Sequence, residues 1–218
     1  MSIYNKVVWS EGLFLQPHHL QQQDRFLERY VETRCESLVP YSWGFSEVEL
    51  EPDLLSIGKL GLRRAMGVFP DGTPFRLPED GPLPAQLEIG SDVRDQLVHL
   101  AVPLRRLGAI DVARNADDGD GLARLAVQEV EAQDVASSAG GTAPLEVGVL
   151  RTRLLLERET TEAYACLPIA HVIECRADNK VVLDEGFMPT VLHVRAARRL
   201  AAFTTELQGL LRHRGEAL

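Results

Sequence analysis

Cysteine is scarce in this chain of 218 residues: Cys35, Cys166 and Cys175 stand far apart, and none forms a C-x-x-C or pairs with a histidine at ligand spacing. That excludes a zinc module and a disulfide framework, and the three thiols are expected to be reduced and structural. Aromatic side chains make up only 6% of the chain, which argues against the aromatic-lined groove of a saccharide-binding sandwich. Basic residues are in deficit, 23 against 32 acidic ones for a net charge of −9, so the body as a whole repels polyphosphate and no nucleic acid is expected as a partner. Apolar runs such as Val147 to Leu150 and Leu154 to Leu156 fall far short of the about 18 residues that a membrane helix needs. No direct membrane insertion is expected. Met1 to Leu15 holds Lys6 but also Glu11 and lacks an uninterrupted apolar stretch, which reads as the absence of a secretory signal and a cytoplasmic protein.

What is present is ordinary globular composition, 45% hydrophobic and 25% charged, enough to bury a sizeable core. An arm over residues 1–16 precedes a helix over 17–38. Pro17 suits a first helical turn, and Leu20, Leu27, Val31, Cys35 and Leu38 recur at helical spacing until Pro40. The helix is long enough, at about 30 Å, to brace one side of a sheet. From Trp43 the period changes to two. Val48 and Leu50, Leu60, Leu62 and Met66, Val98, Leu100, Val102 and Leu104, and Leu125 and Val127 alternate with other side chains as half-buried strands require. Pro70-Asp71-Gly72-Thr73 reads as a tight turn; 78–84, 115–121 and 137–144 read as loops. Leu167 to Cys175 and Val181 to Leu183, joined by Ala177-Asp178-Asn179-Lys180, read as a hairpin. The fold class is therefore mostly β, an antiparallel β-sandwich over 43–187 with an N-terminal helix.

Beyond Met188-Pro189 the pattern is helical again, with Ala196, Leu200, Phe203, Leu207 and Leu210 spaced as the a/d stripe of a coiled coil over about two heptads. Residues 189–218 carry a net +3 against −12 on the remainder. The helix lacks a C-cap at Gly215-Glu216-Ala217-Leu218, and the expectation is that 188–218 begins a helical neck continuing in a longer protein.

Candidate chemistry is thin. His18-His19 lacks a third ligand at helical spacing, His171 reads as a hydrogen-bonded core histidine rather than a general base, and Asp117 to Gly121 lacks the distal glutamate of a calcium loop. No nucleophile elbow, Walker loop or dinucleotide fingerprint occurs. The basic cluster Arg195, Arg198, Arg199, Arg212, His213 and Arg214 has no interleaved aromatics and reads as a solvated helix face. No enzyme activity, metal or cofactor is expected.

The string Trp9-Ser10-Glu11-Gly12-Leu13-Phe14-Leu15-Gln16-Pro17-His18-His19-Leu20-Gln21-Gln22-Gln23-Asp24-Arg25 resembles the W-x-E-G-x-F-L-x-P-x-H-[FL]-Q-Q-Q-D-R signature of the TssK (VasE/ImpJ) family of type VI secretion baseplate components. Gly67 to Phe75, Leu167 to Ala170 and Lys180 to Pro189 match further family segments in order. The resemblance implies a homotrimeric, noncatalytic adaptor at the inner face of the inner membrane. Its N-terminal sandwich would be a shoulder like that of phage receptor-binding proteins, docking on the wedge proteins TssF and TssG. A C-terminal head outside this chain would bind the membrane proteins TssL and TssM, since family members run to about twice this length. Trp9, Glu11, Gly12, Phe14, Pro17, His19, Gln22, Gln23 and Asp24 are then candidates for partner binding or for docking the arm, and Ala196, Leu200, Phe203, Leu207 and Leu210 for the oligomeric neck. The alternative reading is a tail-like sandwich recognising a saccharide or surface ligand.

Overall fold

A computed structural model describes residues 4–106, 108–115, 121–136 and 140–216. The Asp117–Asp120 stretch considered above for calcium lies outside them. The chain divides into two compact units, Met1–Ser42 and Trp43–Leu218. The first contains α1 (Pro17–Leu38).

The second unit is mostly β. Its strands are β1 (Gly44–Leu50), β2 (Lys59–Leu60), β3 (Leu62–Val68), β4 (Pro74–Leu77), β5 (Leu87–Glu88), β6 (Arg94–Pro103), β7 (Val112–Ala113), β8 (Leu125–Gln133), β9 (Thr142–Leu150), β10 (Arg153–Leu156), β11 (Tyr164–Cys175) and β12 (Val181–Leu183). A short helix α2 (Pro52–Leu55) follows β1, and α3 (Arg198–Glu216) closes the unit. Two antiparallel sheets, β1-β3-β4 and β10-β6-β11-β12, carry the core between them. Smaller sheets are β2-β5 and β7-β8-β9, the latter with a parallel β7–β8 pair.

Alternation explains the stacking. Val98, Leu100 and Val102 of β6 point to one face and are fully buried, and their cross-strand neighbours Leu154, Leu156, Ala165 and Leu167 are buried with them. From the facing sheet come Phe45, Ala65, Phe75 and Leu77. Phe75 meets Phe45 edge-on at 5.9 Å between ring centroids and Phe69 at 4.5 Å, the geometries that aromatic quadrupoles favour. The inner faces of the two sheets share one core, the sandwich that period-two patterning implies.

Three segments show how local chemistry fixes the frame. The Pro70–Thr73 turn closes with Phe69 N–H donating to the Thr73 carbonyl at 2.9 Å and Gly72, at φ +83°, supplying the left-handed residue. The turn is clamped by Arg124, which is 5% exposed, pairs with Asp71 at 2.8 Å, and donates to Thr73 Oγ1 and the Pro103 carbonyl. At the far edge, Phe45 N–H donates to the Thr190 carbonyl at 2.9 Å and Leu192 N–H to the Phe45 carbonyl at 2.8 Å. Residues 190–192 thus form a strap running parallel beside β1. Gly67 is required here, because a Cβ on it would lie 2.2 Å from the Gly44 carbonyl oxygen.

Sequence and structure differ at particular strands. β9 begins at Thr142, inside the stretch read as a loop to Pro144. Pro144 is tolerated because β9 is an edge strand whose missing N–H faces no neighbour. Pro168, in central strand β11, sits where the register slips between Pro168 and Ala170, a bulge that needs no ladder donor. β10, only four residues long, was visible in sequence only as an apolar run. The 177–180 hairpin turn is as expected, with Asn179 at φ +65°.

Candidate protein-interaction site

In the first unit the arm folds back along α1. Leu13 N–H donates to the Ser10 carbonyl at 3.2 Å, and Gly12 takes φ +79° with open space around it, so the glycine is required for its backbone conformation. The Trp9 and His19 rings lie 6.3 Å apart, Gln22 Nε2 donates to the Asn5 carbonyl at 2.7 Å, and the Arg29 guanidinium sits 5.9 Å from the Tyr4 ring centroid. These contacts run in opposite order along arm and helix. Pro17 occupies the first turn, and His19 Nδ1 accepts the Gln16 N–H at 3.1 Å, satisfying a donor at the helix start.

His19, Gln22, Gln23 and Phe26, spaced i, i+3, i+4, i+7, form the half-buried face of α1. The other apolar stripe is uncovered: Leu20, Leu27, Val31 and Leu38 are all exposed, and α1 buries no residue. Phe14, 81% exposed, and Val8 and Leu15 add to the uncovered apolar surface. The signature therefore separates into two sets. Gly12, Pro17, His19, Gln22 and Gln23 shape the unit; Glu11, Phe14 and Asp24 face solvent. Trp9, half exposed against His19, belongs to both.

The second candidate set lies at the end of the second unit. Ala196 falls in a 3-10 turn, Val194–Ala196, ahead of α3, so the helical stripe starts at Leu200. Ala197 is buried and Leu200, Ala201 and Thr204 are half-buried, which seats the first turns of α3. Phe203, Leu207, Leu210 and Leu211 are exposed, an uncovered apolar ridge on a locally basic helix.

A third cluster escaped sequence reasoning. His171 is half-buried rather than a core residue: its Nε2 lies 2.8 Å from Asp95 Oδ1 and its Nδ1 3.2 Å from Asp184 Oδ2. The Asp184 carboxylate, then Asp95, raises the imidazole pKa, and His171 lowers that of Asp184. Asp95 is 76 residues away in sequence, which no spacing rule reaches. The adjoining groove, of about 220 Å³ and lined by Leu50, Ile169, His171, Asp184, Phe187 and Arg198, is smaller than the roughly 300–1,000 Å³ of ligand pockets. Burial pushes the Cys166 thiol up, away from thiolate reactivity. Among the described residues no group of three or more His, Cys, Asp or Glu side chains could hold a metal ion, and no helix is long and apolar enough to cross a membrane.

Comparison with known proteins gives this geometry a setting. The family described as Bacterial Type VI secretion, VC_A0110, EvfL, ImpJ, VasE matches residues 19–218. The type VI secretion system baseplate component TssK1 of Pseudomonas aeruginosa is 47% identical over 218 residues, all of this chain and 49% of that protein. The chain thus spans about half the length of this curated relative. A crystal structure of TssK superposes with a TM-score of 0.89 at 37% identity, over 98% of this chain and 48% of that one. A chain in the cryo-electron microscopy structure of the TssK-TssF-TssG baseplate subcomplex gives 0.81 at 23% identity, over 96% and 68%, a likeness of fold alone.

Proposed function

Because this chain belongs to the VasE/ImpJ family of bacterial type VI secretion proteins, we propose that it is the shoulder and neck-start of a noncatalytic baseplate adaptor. Residues 17–187 act as the shoulder, carrying the arm 1–16, and 188–218 open the neck, whose helix begins at Arg198. The shoulder docks on TssF and TssG, and the neck helix joins three copies. The part of the longer relatives outside this span engages the membrane proteins TssL and TssM, so assembly takes place at the cytoplasmic face of the inner membrane.

The observation that carries this reading is the division of apolar surface. The sandwich core is closed, while the arm, α1 and α3 each leave large apolar side chains in water. Exposed apolar ridges rimmed by charge mark protein interfaces rather than reaction clefts. A tripartite adaptor needs such ridges and no reactive group. The test is co-purification with TssF and TssG of the wild-type chain and of Phe14→Ala, Asp24→Ala and Gln22→Ala, with melting temperatures measured alongside. Loss of capture by the Phe14 and Asp24 variants with unchanged melting is expected. Full capture by all three would refute docking through the arm and α1.

A further inference from the structure

His171 stands between two carboxylates, one on each ring nitrogen. A neutral imidazole has one N–H and one lone pair, so it can donate to only one of two acceptors and would turn a lone pair toward the other. Both contacts together require the imidazolium or a protonated carboxyl. Asp95 is almost fully exposed and Asp184 partly so, and the His171 ring and the Gly186 N–H hold the Asp184 carboxyl below its ordinary value. The geometry is therefore that of a charged histidine.

What that charge holds is a hinge of the chain. Asp184 N–H donates to the His171 carbonyl at 2.8 Å, Asp184 Oδ1 accepts Gly186 N–H at 2.7 Å, and Phe187 N–H reaches the Asp184 carbonyl at 3.1 Å. This compact turn ends β12 and leads directly into the 190–192 strap beside β1 and from there to α3. Other charges face it from α3. Arg198 lines the same groove, and Arg199 Nη1 lies 3.5 Å from the Glu185 carbonyl and favours the ionised form of Asp184. From β1 the groove receives only Val48 and Leu50.

We infer that His171 is a protonation-dependent latch, which when charged pins the 184–187 turn to the sheet and so fixes the strap that carries α3. On losing its proton it releases exposed Asp95 first and keeps a weaker, neutral hydrogen bond to Asp184. The turn then opens more often, and the root of α3 loosens as pH rises. The device rests on the folded geometry of the second unit, whichever partners the protein has.

The experiment is NMR on the 218-residue chain across pH 5 to 9, following the His171 ring signals and amide-exchange protection factors, each corrected for intrinsic rate. Protection of Gly186 and Leu192 is expected to fall as His171 titrates. Reciprocal linkage bounds the size of the fall: because Asp95 stays beside His171 on the paired strand when the turn opens, the fall is at most ten raised to the difference between the measured midpoint and about 6.5, the ordinary histidine value. Amides at the centre of β6 should keep their protection and report an intact fold. Asp184→Asn should lower the midpoint more than Asp95→Asn, and His171→Gln should leave Gly186 weakly protected at every pH. A midpoint at or below the ordinary value, Gly186 protection unchanged through it, or wild-type protection in His171→Gln would overturn the latch.

Discussion

Arg124→Met tests how the sandwich holds its Pro70–Thr73 turn. Arg124 is 5% exposed and serves three acceptors, the Asp71 carboxylate, Thr73 Oγ1 and the carbonyl of Pro103, itself fully buried. Methionine keeps most of the stem and removes every donor. Stranding a buried carbonyl costs about 1–3 kcal/mol. Breaking a fully buried ion pair costs about 3–5 kcal/mol, but Asp71 is 20% exposed and water recovers part of its share. The expected loss is about 3 kcal/mol, or roughly 6–12 °C for a chain of this size. Urea and thermal unfolding, followed by tryptophan fluorescence and circular dichroism at one fixed protein concentration, measure it. Adding Asp71→Asn to Arg124→Met should recover part of the loss, because asparagine keeps the oxygen that accepts Thr73 N–H at 3.2 Å without stranding a charge. A single variant that unfolds with the wild type would refute the clamp.

Gly67→Ala should destabilise far more than Gly148→Ala, since the first meets a backbone oxygen at 2.2 Å and the second a leucine methyl at 2.9 Å that can rotate away; urea midpoints decide it. On the proposed reading that the neck helix joins three copies, Leu207→Asp on the exposed ridge of α3 should weaken association in sedimentation with the melting of the sandwich retained. Unchanged association would place the interface elsewhere. The stabilising effect of the His171–Asp184 pair should be complete below the unfolded histidine value and be lost as pH rises through the raised folded one. On the acid side it is lost as pH falls through the lowered pKa of Asp184. His99, pushed down by burial, acts in the opposite sense, so His99→Gln should lessen the stability lost on acidification below about 6.5.

The parts of this fold that were legible in sequence are those fixed by local periodicity. β6 announces itself because Val98, Leu100 and Val102 share one buried face, and α1 because Pro17 and Pro40 bracket a 3.6-residue repeat. β10 was not legible, since four residues of near-continuous leucine carry no alternation, and the start of β9 was hidden by Gly140, Gly141 and Pro144, residues that ordinarily signal a turn. At the candidate site the signature string drew attention to a set of residues without dividing those that hold the arm from those that face water. That Gln22 fixes Asn5 while Asp24 faces water depends on the arm folding back, a contact across 17 residues. The stripe through Ala196 was legible as spacing but not as helix, because 194–196 take a 3-10 turn before α3 begins. The His171 cluster was invisible for the same long-range reason.

The strap beside β1 has a topological consequence. Gly44 and Phe45 open the β body and Thr190 to Leu192 leave it, only two hydrogen bonds apart. The whole sandwich is therefore a cassette whose entry and exit are adjacent, and chains with neighbouring ends accept insertion and exchange readily. A different sandwich could be spliced between Gly44 and Leu192 with the takeoff point of the terminal helix left where it is.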